Sequence, residues 1–213
     1  YLLSGGFITE FRKTDLFEKR ISEFVKCDET IILPNGTLTL FSILKALGIK
    51  QNSKVIVPNY TMAATAFSVV ETGAEIIFCD IEWPSLCLSM DALEEILNRE
   101  ENINAIMFMN ANGRYPSYKI DQLVRLCTVK NIYLIEDCAQ ALGSFYPDGR
   151  HMGTAGIAGS ISFSMPKIIT TGQGGAVISN NKDLIKKIRR YKNFGRKDSG
   201  GLDIHETIGL NMK

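Results

Sequence analysis

Apolar residues recur along this chain in two spacings. Continuous runs at 54–58, 75–79, 103–109 and 132–136 have the length and β-branched content of buried strands, and Pro58 stops the first of them. Between the runs the spacing is helical. Residues 16–25 place Leu16, Ile21 and Val25 toward a core, and 37–47 form a second helix ended by Gly48. A third helix covers 63–72 and is closed by Gly73, a fourth begins behind Ser89 as its cap, and a fifth spans 120–130. Shorter strands are expected at 160–164 and 175–179, followed by a basic amphipathic helix over 182–191.

This alternation predicts an α/β domain whose mostly parallel sheet is covered by helices on both faces. No repeat, low-complexity tract or Pro/Gly/Ser-rich linker interrupts the 213 residues, so a single domain, 1–213, is expected. Ligands in such sheets collect outside the carboxyl ends of the strands, and candidate chemistry is sought there.

Charge and cysteine usage narrow the function classes. The 24 basic and 23 acidic residues nearly cancel, which gives no reason to expect a nucleic-acid or anionic-membrane partner. No apolar stretch reaches the roughly 20 residues of a membrane span. Five cysteines without a C-x-x-C pair, and only His151 and His205 beside them, read as free thiols of a reducing cytoplasm and not as a zinc site. The start, Tyr1-Leu-Leu-Ser-Gly-Gly6, has neither methionine nor the regions of a signal peptide. A cytoplasmic protein is expected, cut from a longer chain at both ends.

Three places carry candidate chemistry. Asp137 ends an apolar strand, where its carboxylate emerges at the ligand edge; alone it reads equally as a cap or a solvated acid. Lys167 lies between apolar residues after a strand and before a glycine-rich turn. Desolvation there favours the neutral, nucleophilic amine, though alone it reads as a snorkelling surface lysine. Asn35-Gly-Thr37 enters a helix, and backbone N–H groups at a helix start bind phosphate, or it is an ordinary cap. No G-x-x-x-x-G-K-S/T loop and no G-x-G-x-x-G fingerprint is present, which disfavours an NTPase or an NAD enzyme. Together a lysine, an acid and an anion cradle are what pyridoxal 5'-phosphate (PLP) requires.

The motifs occur in the order of a known family. Leu2-Leu-Ser-Gly-Gly-Phe-Ile-Thr9, Asn35-Gly-Thr37, Val55-Ile-Val-Pro58, Glu136-Asp-Cys-Ala-Gln-Ala-Leu-Gly-Ser144, Ser162-Phe-Ser-Met-Pro-Lys167, Ile169-Thr-Thr-Gly-Gln-Gly-Gly-Ala-Val177 and His205-Glu-Thr-Ile-Gly-Leu-Asn-Met-Lys213 resemble the DegT/DnrJ family of nucleotide-sugar aminotransferases. The resemblance implies the three-layer large domain of the aspartate-aminotransferase type, with the smaller C-terminal domain absent from this chain. It implies Lys167 as the Schiff-base lysine that also moves the substrate proton, and Asp137 as partner of the pyridinium nitrogen. Gln140 is expected near the ring hydroxyl. Gly36, Thr37 and Ser162 are expected at the phosphate, and Asn211 at the phosphate of a neighbouring subunit in a homodimer with shared sites.

The resemblance also implies the reaction: an amino acid, glutamate, gives its amine to the cofactor, which passes it to a keto sugar carried on a nucleotide, in surface polysaccharide or glycan synthesis. Three positions depart from the family pattern. Met62 in Pro58-Asn-Tyr-Thr-Met62 replaces the aromatic ring that stacks on the cofactor, Asn110-Ala-Asn-Gly113 replaces His-x-x-Gly, and Lys213 replaces an arginine. These keep open a transaminase of a smaller phosphorylated keto substrate, or a non-catalytic relative that binds PLP or a sugar nucleotide. One branch of the family has histidine at the Schiff-base position and removes a sugar hydroxyl; Lys167 argues against it.

Overall fold

The structure is a computed structural model and describes residues 5, 10, 12–197 and 204–213. Apart from Gly5, the segment 2–9 quoted above lies outside the described residues. Seven strands form one sheet: β1 (Glu29–Leu33), β2 (Lys54–Pro58), β3 (Glu75–Cys79), β4 (Ile103–Met109), β5 (Tyr133–Asp137), β6 (Ala158–Ser162) and β7 (Gly175–Ser179). Their order is β1-β7-β6-β5-β4-β2-β3. Strands β3, β2, β4, β5 and β6 run parallel, and β7 and β1 are antiparallel to their neighbours. The expected mostly parallel sheet is present, with an antiparallel edge.

Among the described residues six α-helices cover it: α1 (Arg12–Val25), α2 (Gly36–Ala46), α3 (Ala63–Val70), α4 (Met90–Arg99), α5 (Ile120–Lys130) and α6 (Lys182–Lys192). Side-chain alternation along the strands divides the interior into two cores. Val55, Val57, Ala105, Met107 and Ile135 pack with Leu40, Ile43 and Leu44 of α2, Val69 of α3, and Leu184, Ile185 and Ile188 of α6. Ile56, Ile106, Phe108 and Leu134 point the other way, onto Ile21 and Val25 of α1, Leu93 and Ile96 of α4, and Leu123 and Cys127 of α5. The result is the expected three-layer α/β/α arrangement.

Cys79, Cys87, Cys127 and Cys138 are buried free thiols, and burial pushes Cys79 and Cys127 up to about 12. No helix is long and apolar enough to cross a membrane among the described residues.

Element edges differ from the apolar pattern for local reasons. α1 begins at Arg12, ahead of the apolar spacing, which does not register its polar, largely exposed first turn; Asp15 there is favourable near the positive helix end. β1 is not separated by the pattern, since two residues divide it from α2 and its isoleucines merge with the next apolar stretch. β5 extends to Asp137, and β6 ends at Ser162. The chain from Phe163 to Thr171, which carries Lys167, is a loop folded back on itself by Lys167 N–H to Ser164 O and Thr171 N–H to Phe163 O, each 3.0 Å. Ser89 caps α4 as expected, its hydroxyl accepting from Ala92 N–H at 3.4 Å.

Candidate active site

At the carboxyl edge of β4, β5 and β6, the starts of α2 and α3 meet the loop after β6 around a cavity of about 440 Å³. Asn35, Gly36, Thr37, Met62, Met109, Asp137, Gln140, Ser162, Ser164, Lys167 and Gln173 are among its lining residues. Seven of the eight expected site residues therefore converge on one space. Asn211 does not. It is exposed, its backbone bridges to Asn193, and its neighbour Met212 is buried beside Ser42 of α2.

One end of the cavity is built for an anion. Asn35 caps α2, its side-chain oxygen accepting from Leu38 N–H at 2.9 Å, and its carbonyl takes Thr39 N–H at 3.1 Å. The N–H groups of Gly36 and Thr37 are left without helical acceptors, at the positive end of the helix. Gly36 is packed onto β6: a Cβ there would lie 3.0 Å from Ser162 Cβ. Ser162 Oγ in turn lies 3.2 Å from Ser164 Oγ. Below them Thr39 Oγ1 and Ser160 Oγ bond at 2.5 Å, tying α2 to β6.

Asp137 lies across the cavity, 3 % exposed. Alternation along β5 sends it to the α2/α3 side. Its Oδ2 accepts from Thr65 Oγ1 at 2.7 Å and its Oδ1 from Ala139 N–H at 3.1 Å. Burial pushes its carboxyl above the usual range, while the two hydrogen bonds and the charge of Lys167 pull it down. A buried acid in this state gains from a cationic N–H donor. Lys167 is half-buried, and its amine has no hydrogen-bond partner among the described residues. Gln140 Oε1 is taken by Asn112 N–H at 3.1 Å, which leaves its NH₂ as the free donor. Met62, at the start of α3, lines the cavity, whereas Tyr60 does not.

The adjoining Glu136 faces the opposite core. It accepts from Tyr146 Oη at 2.5 Å and from the N–H groups of Gly153, Ala155 and Gly156 at 2.9, 2.7 and 2.7 Å. Burial raises its carboxyl and these four donors oppose it. Asn110, in the departed His-x-x-Gly segment, is fully buried: its Nδ2 donates to Tyr146 Oη at 3.1 Å and its Oδ1 accepts from Cys138 Sγ at 3.2 Å. Its backbone N–H holds Asp137 O at 3.1 Å. Thr65, Tyr146 and this network were outside the motif reading. A buried threonine in a helix and a tyrosine in a loop carry no local signal of their partners.

A second cavity of about 320 Å³ adjoins the first and shares Ala139, Gln140, Ser162, Pro166 and Lys167 with it. It adds Asn112, Leu142, Ile168 and Ile169, so Lys167 is its one charged lining residue.

The donor set suits PLP on three separate counts. Leftover backbone N–H groups and a hydroxyl suit a phosphate, a buried acid suits a ring N–H, and an unpartnered amine in the same wall suits an aldehyde. An α/β/α domain with such a site belongs to a class of cofactor-binding folds, and the relatives specify it further. All of residues 1–213 match the DegT/DnrJ/EryC1/StrS aminotransferase family, and the chain belongs to that family. It is 36% identical over 192 residues to GDP-perosamine synthase of Vibrio cholerae, covering 90% of this chain and 51% of that protein. It is 31% identical over 201 residues to the putative pyridoxal phosphate-dependent aminotransferase EpsN of Bacillus subtilis, covering 92% and 51%. The crystal structure of an aminotransferase from Psychrobacter cryohalolentis superposes with a TM-score of 0.90 at 32% identity, over 100% of this chain and 55% of that one. The chain thus spans about half the length of these relatives.

Proposed function

We propose that this chain is the PLP-binding large domain of an aminotransferase that moves an amino group from an amino acid, glutamate, to a keto sugar carried on a nucleotide. The observation that carries the reading is the convergence of Asp137, Lys167 and the Gly36–Thr37–Ser162 cradle on one cavity. When bound, PLP supplies the electron sink for the carbanion formed at the substrate carbon.

The N–H groups of Gly36 and Thr37 and the Ser162 hydroxyl hold the phosphate. Asp137 accepts the ring N–H and keeps that proton in place. Gln140, with its oxygen engaged by Asn112, would offer its NH₂ to the ring hydroxyl, and the Met62 thioether in the same wall would be the residue to pack against the ring. Lys167 Nζ would anchor the cofactor and, once the amino acid displaces it, would act in each half-reaction as base and then as acid, taking a proton from the donor's carbon in the first and delivering one to the acceptor's carbon in the second. Asn211, exposed and not among the residues lining its own chain's cavity, would be placed to reach the phosphate of a second copy in a homodimer with shared sites.

The sugar acceptor draws support from the second cavity. Neutral amides beside Leu142, Ile168 and Ile169 suit a polyol with apolar edges. The name of the Vibrio relative, a GDP-perosamine synthase, is in keeping with such an acceptor. The setting that follows is cytoplasmic synthesis of sugar precursors for surface polysaccharide.

The test is the visible absorbance of the purified protein with PLP, wild type against Lys167→Ala, before and after borohydride. The expected result is a band that borohydride converts to a stable adduct on the Lys167 peptide, absent in the variant. A wild-type protein with no such band and no adduct sinks the reading.

A further inference from the structure

Thr65 is the third residue of α3 and is fully buried. Its hydroxyl lies 2.7 Å from Asp137 Oδ2. An ionised carboxylate only accepts, so the single hydroxyl proton of Thr65 goes to Asp137. Behind it, Thr61 Oγ1 lies 2.8 Å from Thr65 Oγ1 and 3.0 Å from Met109 Sδ, which only accepts, so the two share the single Thr61 proton. Thr65 thus joins Thr61 to the carboxylate, and the one proton it has goes to Asp137. Ala139 N–H holds the other oxygen, Oδ1, from the loop after β5. One donor on each oxygen, from two different elements, fixes the plane of the carboxylate and supports its charge.

We propose that Thr65 is a positioning residue for the ring nitrogen of the cofactor, acting through Asp137 with Thr61 behind it; this rests on the reading that PLP occupies the cavity. Asp137 can hold a ring N–H only while it is an anion and its open lone pair faces the cavity. Without Thr65, Oδ2 loses its donor in a buried place, and the carboxylate gains both freedom to rotate and reason to take a proton itself. A protonated Asp137 has no charge to offer the ring.

The test separates this role from packing by changing the ligand and the protein together. The variants are Thr65→Val, which keeps the shape and removes the hydroxyl, and Thr65→Ser, which keeps the hydroxyl. The ligands are PLP and its 1-deaza analogue, in which C–H replaces the ring nitrogen, measured by equilibrium titration of the purified protein. Thr65→Val is expected to raise the Kd for PLP about tenfold and to leave that for the analogue within about twofold, as the loss of one hydrogen bond to a charged group dictates. Thr65→Ser is expected to stay near wild type for both ligands. Equal weakening of both ligands, or of neither, overturns the proposal. If the valine variant does not fold, Thr65→Ala against Thr65→Ser makes the same comparison. A wild type that binds neither ligand overturns the reading of the cavity itself, an outcome distinct from wild-type binding without the Thr65 selectivity.

Discussion

Gly175 opens β7 directly beneath the turn that starts α2, and replacing it with alanine tests whether that turn is rigidly seated. The added methyl would lie 2.6 Å from Asn35 C, 2.7 Å from Asn35 O and 2.9 Å from Gly36 N. All three are backbone atoms, so no side chain can swing aside. Their positions are set by the Asn35 cap and by the pairing of Leu33 with Gly175. Ordinary contact begins at 3.4 Å, so the turn must move by about 0.8 Å. Overpacking of that kind costs about 1–3 kcal/mol of stability. The same shift carries the Gly36 and Thr37 N–H groups away from their anion. Losing even one charge-assisted bond there weakens cofactor binding by about tenfold. The control is Gly149→Ala, at φ +86° with nothing within 4 Å of the new methyl. It is expected to lose about 1 kcal/mol through backbone strain alone and to bind PLP normally. Denaturant unfolding and PLP titration of both variants are the assays. A Gly175→Ala protein with wild-type stability and affinity would refute the account of a cradle braced by β7.

Two further predictions follow from the buried polar groups. Tyr146→Phe removes the 2.5 Å donor to Glu136 and the acceptor of Asn110 Nδ2, and is expected to cost about 1–3 kcal/mol in all, since Glu136 keeps its three backbone donors, read by denaturant unfolding; a loss under about 0.5 kcal/mol argues against the network. His151 is buried and neutral, its Nε2 accepting from Gly143 N–H at 2.9 Å and its Nδ1–H directed at Met152 O, and burial lowers its pKa. The unfolded chain therefore takes up the proton first as pH falls below about 6.5. His151's contribution is full above that value and falls away below it, by up to about 1.4 kcal/mol per pH unit. Asp137 and Glu136, whose carboxyls burial raises, have the opposite sign. The difference between wild-type and His151→Gln stability curves isolates the histidine, and parallel curves through that window count against it.

What could be read from the chain beforehand divides along physical lines. Apolar spacing reports burial, so the strands that carry Met109 and Asp137 and the helices that cover them were legible, and so was the layer order. Lys167 and Asn35-Gly-Thr37 each had an ordinary reading alone, a snorkelling lysine and a helix cap, and only the ordered set of motifs singled them out; the structure brings both to the wall of one cavity. Met62 shows the same logic in reverse, since its departure from an aromatic was visible and the cavity places Met62, not Tyr60, in its wall. The hidden part is the support. Thr65 and Asp137 are 72 residues apart, and Asn110 and Tyr146 are 36 apart. No local pattern announces either pair, because a threonine in a helix or an asparagine after a strand is equally at home with water. Only when β5 brings Glu136 and Asp137 to opposite faces do the two neighbours acquire different duties: Glu136 bolts the loop of residues 153–156 to the sheet, and Asp137, held by one donor on each oxygen, lines the cavity. Residues that meet a ligand are constrained by its chemistry and leave a motif. Residues that hold them are constrained only by geometry, so many sequences solve the same problem and no single one is recognisable. Directed substitution at Thr65 and Tyr146 is therefore more informative than further substitution at Lys167, whose loss of function any reading of the family anticipates.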